Sequence, residues 1–246
     1  PRAEPHVAGP GLRLLSVAIS LATVLVFYWF VRGYAGRQAA LWAGLFLAIS
    51  PIHLYHAQEL RMYSLLTFFV RVHWAGVFKV VQAEGKIGWL WWGLVVVSAA
   101  LAFYTHNLAG FSLIAPSVFL LFQRRWRVLF RVILAQGVAL AAYIPWLLLL
   151  PGQIAKIQTA FWTPRPGALE VIQTVIMFSA NLPLPGSSLI PGLVSSVVIF
   201  ATLAWWLLRQ GKNMARFSYS LVLLLTAPTL LFLLSQFMRP VYVQRA

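Results

Sequence analysis

The chain has 246 residues, of which 61% are hydrophobic and 9% charged, with a formal net charge of +15. A soluble domain of this length carries far more charge on its surface, and the Lys and Arg residues fall mainly in short gaps between apolar runs, so the basic balance points to a positive-inside membrane protein and not to a nucleic-acid partner. Cysteine is absent, which excludes disulfides and thiolate metal sites.

Apolar runs able to cross a hydrocarbon layer about 30 Å thick lie at 12–31, 38–52, 63–79, 88–104, 108–122, 132–150, 188–208 and 217–237. The expected fold is an all-α polytopic membrane protein, a bundle of about eight transmembrane helices. It forms a single transmembrane domain over 1–246 with no soluble domain, because the longest gap, 151–187, is shorter than the roughly 50 residues an independent domain needs. The gaps at 32–37, 79–87, 123–131 and 209–216 hold Arg32, Arg37, Lys79, Lys86, Arg124, Arg125, Arg127, Arg131, Arg209, Lys212 and Arg216, which makes them cytoplasmic. Residues 1–11, 53–62, 105–107, 151–187 and 238–246 then face the other side. Segment 169–181 is flanked by Glu170, Asn181, Pro183 and Pro185; crossing there would push Arg209 to Arg216 outside, so it reads as an outer-face interfacial or re-entrant helix.

The first residue is Pro1, and the chain stops at Arg245-Ala246 just after an apolar helix. The expectation from these ends is a fragment of a longer protein.

The octapeptide His56-Ala57-Gln58-Glu59-Leu60-Arg61-Met62-Tyr63 places five polar or ionisable side chains between two apolar runs. Glu4, Glu59, Glu84 and Glu170 are the only acidic residues, and Asp is absent. If 53–63 continues as a helix, His56, Glu59 and Tyr63 share a face, while Gln58 and Arg61 point elsewhere. Glu59 and Arg61, two apart, then have no easy route to each other within one helix. The plainer alternative is an interfacial helix whose Tyr55 and Tyr63 belong to an aromatic belt.

Other polar residues fall on the same outer side. His106 lies in the tight turn Thr105-His106-Asn107, as a hydrogen-bonded turn residue or a substrate contact. Trp162, within Phe161-Trp162-Thr163-Pro164, is either a headgroup anchor or a wall for a sugar ring. Arg239, Tyr242 and Arg245 close the chain, where arginines meet phosphate or lipid headgroups. Arg71 and His73 fall inside the third span, where an ionisable group needs a cavity, a partner, or, for Arg71, a path toward the cytoplasmic boundary near Lys79. His53, His56 and Glu59 lack a metal-site signature, and no metal site is assigned.

The run from Ser50-Pro51-Ile52-His53 through Gln58-Glu59-Leu60-Arg61-Met62-Tyr63 to Leu66 resembles the second outer loop of C-type (GT-C) polyprenyl-phosphate-sugar glycosyltransferases. The likeness is to the family related to protein O-mannosyltransferases and to the aminoarabinose transferases that modify lipid A. Arg32-Gly33-Tyr34-Ala35-Gly36-Arg37 fits that family's basic inner hairpin, and Thr105-His106-Asn107, Phe161-Trp162-Thr163-Pro164 and Arg239-Pro240-Val241-Tyr242-Val243-Gln244-Arg245 occupy similar positions. The resemblance implies a multi-pass enzyme, in a bacterial inner membrane, with its active face extracytoplasmic. Such an enzyme passes a sugar from a polyprenyl-phosphate carrier to a glycan, lipid or protein acceptor.

The same resemblance implies substrate-binding roles for Gln58, Arg61, Tyr63, His106, Trp162, Arg239, Tyr242 and Arg245, with Glu59 and His56 supporting catalysis. The implied partners are membrane lipid, the lipid-linked sugar donor and the acceptor, without nucleic acid; no further cofactor is implied, and nothing supports a divalent metal. Members of this family carry their catalytic acid in a first outer loop after an initial membrane helix. This chain lacks both, so the fragment alone is expected to be inactive, with the catalytic residue upstream. A transporter or flippase for a lipid-linked glycan also needs polar clusters and an intramembrane arginine, but distributes them across the bilayer midplane instead of at one face. A noncatalytic scaffold leaves the octapeptide unexplained. The transferase reading further expects Glu59, Arg61, His106, Arg239 and Arg245 to converge, with Arg239 or Arg245 as the counter-charge of Glu59.

Overall fold

The computed structural model describes residues 10–59, 61–149, 151–152, 165–180, 189–209 and 214–237. Among these the chain is all-helical and has no strand. The helices are α1 (Pro10–Ala35), α2 (Arg37–Ile49), α3 (Pro51–Gln58), α4 (Tyr63–Gln82), α5 (Trp89–Thr105), α6 (Ala109–Leu113), α7 (Ala115–Phe122), α8 (Trp126–Leu147), α9 (Ala168–Ala180), α10 (Leu189–Arg209) and α11 (Met214–Phe237). By length and apolar composition four segments among the described residues suffice to cross a membrane: Arg13–Gly33, Tyr63–Gln82, Trp126–Leu147 and Ser218–Phe237. A fifth is added if the bent pair Arg37–Ile49 and Ile52–Gln58 counts as one span. The protein is thus a multi-pass integral membrane protein. Shorter apolar helices occupy the remaining expected spans; α5, with 17 residues, rises about 25 Å.

The chain divides into two compact units, one ending at Ala109 and one beginning at Gly110. In the first, α1 lies along α2, α3 and α4, and α4 packs on α5. Helices α1 and α4 run in the same direction. Phe30 meets Phe78 edge-on at 5.5 Å, and one turn further Gln82 Nε2 donates to Gly33 O. Lys79 Nζ lies 5.1 Å from the Trp29 ring, and Trp29 stacks on Trp91 of α5 at 5.9 Å. Gly36, at φ 92, permits the left-handed turn between α1 and α2.

The buried His73 ties α4 to α5. Its Nδ1 is 3.1 Å from Val95 O, and because a carbonyl can only accept, Nδ1 carries the proton in that bond. The sequence left this histidine open to function; its placement makes it a strut between helices. One turn on, Gly76 lets the backbones close in, since a Cβ there meets Val95 Cγ2 at 3.0 Å.

Two expected spans are interrupted near prolines. Pro51 forces Ser50 into an extended conformation, φ −61 and ψ 121, because a residue before proline avoids the helical region. The chain bends by 56° and restarts as α3, so most of 53–62, expected as an outer loop, is helical. Near Pro116, which has no N–H to give, only Ile114 separates α6 from α7, and it keeps helical dihedrals at φ −73 and ψ −17. In the second unit Gln136 on α8 repairs that break: its Nε2 donates to Leu113 O at 2.7 Å, while Ser117 Oγ donates to its Oε1 at 2.9 Å. Also in this unit, Phe119 of α7 packs edge-on to Tyr219 of α11 at 4.8 Å. Helix α9 covers most of the expected interfacial segment, and Glu170 Oε2 accepts from Gly167 N–H at 2.6 Å, closing its first turn as a capping box does.

Gly76→Leu should overpack the α4–α5 contact and destabilise the protein by about 1–3 kcal/mol, read as a lowered thermal unfolding midpoint in detergent. Gly93→Ala, at a position with open space around it, should not lower it. Equal behaviour of the two variants would contradict the close-approach role.

Candidate functional site

The octapeptide does not continue as one helix. Helix α3 ends at Gln58, and Glu59 turns out at φ −80 and ψ 137. The two residues, which have no easy route to each other within one continuous helix, are brought together by this break: Arg61 Nε lies 4.0 Å from Glu59 Oε1. The arginine side chain is 65% exposed, so the pair contributes at most about 1 kcal/mol to stability and its guanidinium stays available to a ligand.

The Glu59 carboxylate is held from three directions. Tyr55 Oη, one turn back on α3, donates to Glu59 Oε1 at 2.5 Å. His56 Nδ1 lies 3.6 Å from Oε2, beyond hydrogen-bond reach, and this buried nitrogen has no hydrogen-bond partner among the described residues. Arg61 completes the set. The plainer sequence alternative placed Tyr55 in an aromatic belt, and the expected counter-charge of Glu59, Arg239 or Arg245, lies outside the described residues. Among the described residues the partners of Glu59 are local, since the end of α3 brings Arg61 to the carboxylate. The alternating spacing Tyr55, Glu59 was the signal for the missed partner, being an i, i+4 pair on one helix face.

An aromatic ladder runs beside the carboxylate. The His56 ring meets Tyr63 at 4.8 Å and Tyr63 meets His106 at 6.3 Å, tilted by 33°. These rings come from α3, the first turn of α4 and the residue after α5. Ser64 Oγ locks the corner by donating to His56 O at 2.7 Å, satisfying a carbonyl that the end of α3 leaves without a helical partner. Gln58 is exposed and is not part of the cluster.

His106 caps α5 in an extended conformation, and its Nδ1 accepts from Leu108 N–H at 3.1 Å. Its proton therefore sits on Nε2 in the neutral form. Burial pushes its pKa below the ordinary 6.5, and the bond from Leu108 opposes protonation of Nδ1 as well. A lowered folded-state pKa means that the contribution of this turn is complete above about 6.5 and is lost as pH falls below it.

Site residues Trp162, Arg239, Tyr242 and Arg245 lie outside the described residues. Within the first unit the structure therefore gathers His56, Glu59, Arg61, Tyr63 and His106. Among the described residues no three His or Glu side chains converge as a metal site. A carboxylate with a hydroxyl, an imidazole and a guanidinium around it, next to tilted aromatic rings, suits a polyhydroxylated ligand carrying negative charge: rings cover its apolar face and the cation meets its oxygens.

Residues 6–149, more than half of the chain, match the family described as Dolichyl-phosphate-mannose-protein mannosyltransferase. The matched stretch contains every member of the gathered cluster and ends before Trp162, so the resemblance read over nearly the whole sequence is supported over this part. No curated protein and no solved structure matches the chain.

A pH titration of His106 by NMR should give a midpoint below 6.5 and the Nε2–H tautomer above it. A midpoint at or above 6.5 would contradict the buried-acceptor geometry.

Proposed function

From membership of the dolichyl-phosphate-mannose-protein mannosyltransferase family, to which this chain belongs, we propose that it transfers a sugar from a polyprenyl-phosphate carrier to an acceptor at the extracytoplasmic membrane face. Family membership makes it a membrane glycosyltransferase of the GT-C type; the donor, the acceptor, the face and an eight-crossing arrangement are our reading. The observation that carries it is the Glu59 cluster, in which Arg61 stays exposed beside a carboxylate and an aromatic ladder.

In the reaction the bond between the anomeric carbon and the carrier phosphate breaks, the acceptor hydroxyl bonds to that carbon, and the hydroxyl proton passes to a base. Negative charge grows on the departing phosphate, and Arg61 is placed to stabilise it. Glu59 is a positioning residue: Tyr55 occupies one oxygen and Arg61 faces the same side, so the carboxylate orients the cation instead of serving as a free base. Tyr63 and His106 present rings to the sugar.

A cleft of about 450 Å³, lined by Val26, Trp29, Phe68, Phe69, Trp91 and Leu94 among others, opens between α1, α4 and α5. Its near-absence of polar lining suits the prenyl tail. The transporter alternative draws on Arg71 alone, whereas the Glu59 cluster gathers at one end of α4, as the transferase reading requires.

Arg61→Ala should lower transfer from a polyprenyl-phosphate sugar by about 10²–10³-fold while membrane insertion and thermal stability stay as in the parent, because the lost side chain is mostly exposed. Unchanged turnover with a verified donor would overturn the assignment.

A further inference from the structure

Tyr63 stands between two histidines from different elements, His56 of α3 and His106 after α5, whose ring centroids lie 4.8 Å and 6.3 Å from its own. Each imidazole has one nitrogen committed inside the protein, and the two commitments are opposite. At His106, Nδ1 accepts from Leu108 N–H at 3.1 Å, so the neutral ring carries its proton on Nε2 and that atom is a donor. At His56, Nδ1 is buried and faces Glu59 Oε2 at 3.6 Å. A carboxylate oxygen only accepts, so Nδ1 turns its proton toward it, and the lone pair of the neutral ring falls on Nε2, an acceptor.

Both Nε2 atoms are open. Nδ1 is the buried, unpartnered atom of His56, and the side chain is 18% exposed, which leaves Nε2 as its accessible polar edge. Among the described residues no group bonds to Nε2 of either histidine. The rest of each residue is fixed. Tyr55 meets the His56 ring edge-on at 5.4 Å, and Ser64 Oγ donates to His56 O at 2.7 Å. His106 is held by its own turn, in which Ala109 N–H also donates to His106 O at 2.9 Å. A fixed acceptor and a fixed donor on either side of an aromatic ring suit a rigid hydroxylated ring, whose C–H face covers the aromatic while its hydroxyls meet the polar edges.

We propose that His56 and His106 read two hydroxyl groups of a sugar ring lying on Tyr63: one hydroxyl donates to His56 Nε2, and the oxygen of another accepts from His106 Nε2–H. The inference rests on the sugar-transfer reading above and deepens it by naming what selects the sugar. The opposed tautomers make the two contacts non-interchangeable. A site built to bond a hydroxyl keeps an unpaired polar group when that hydroxyl is missing, so it rejects the deoxy analogue.

The test is binding of methyl α-mannoside and methyl α-glucoside, each with its monodeoxy forms, to the purified chain in detergent, read by saturation-transfer NMR. For the glycoside that binds, loss of either of two hydroxyls should weaken binding by about 3–10-fold. His106→Asn keeps an oxygen for Leu108 N–H but has no Nε2–H, and should abolish the discrimination at one of these positions alone. His56→Phe keeps a ring beside Tyr63 without the acceptor, and should abolish it at the other; His56→Gln, with an amide oxygen, should restore part. Uniform weakening of every sugar by these variants, with discrimination unchanged, would assign the histidines to the fold and overturn the proposal, as would absence of binding of both glycosides. Position-specific coupling without transfer from any polyprenyl-phosphate sugar would uphold the hydroxyl contacts and overturn the transfer reading. Transfer with uniform weakening would do the reverse.

Discussion

Hydrocarbon does not solvate polar groups, so a membrane-embedded chain must satisfy nearly all of them internally, and the placement of polar side chains here follows that constraint. His73 closes onto Val95 O between α4 and α5. Gln136 and Ser117 repair the helix break at Leu113, and Ser64 satisfies the end of α3. Against this background the unfinished polar groups carry meaning. His56 Nδ1 and Ser20 Oγ are the two buried side-chain atoms without partners among the described residues, and both lie on helices that meet around the α3–α4 corner.

That corner depends on a short failure of helical structure. Pro51 restarts the chain at an angle, and the exit of α3 at Glu59 lets a carboxylate, a tyrosine hydroxyl and an arginine meet within seven residues of sequence. A continuous helix keeps Glu59 and Arg61 on different faces. The ladder of His56, Tyr63 and His106 then joins three separate elements, so the cluster links local turn chemistry to the packing of α4 against α5.

Much of the fold was legible as apolar runs, because burial in lipid demands long stretches without charge. The boundaries were less so. Hydropathy marks contact with hydrocarbon, not helix, and α8 therefore begins at Trp126 and includes Arg127 and Arg131, which the sequence placed in a loop. Pro51 and Pro116 were visible in the sequence, yet their effect depends on whether a neighbour repairs the freed carbonyls, and Gln136 is a partner distant in sequence. For the site, the density of polar residues marked His56, Glu59, Arg61 and Tyr63. The role of Tyr55 was hidden behind the common use of tyrosine at membrane interfaces.

The central claim is that the α3–α4 corner receives the sugar-phosphate end of a lipid-linked donor. Photocrosslinking with a polyprenyl-phosphate sugar bearing the photoreactive group on its sugar, followed by peptide mapping, tests it most directly. The account predicts labelling within 55–63 and at His106 that unlabelled donor suppresses. Labelling confined to other segments, or unaffected by unlabelled donor, would contradict it.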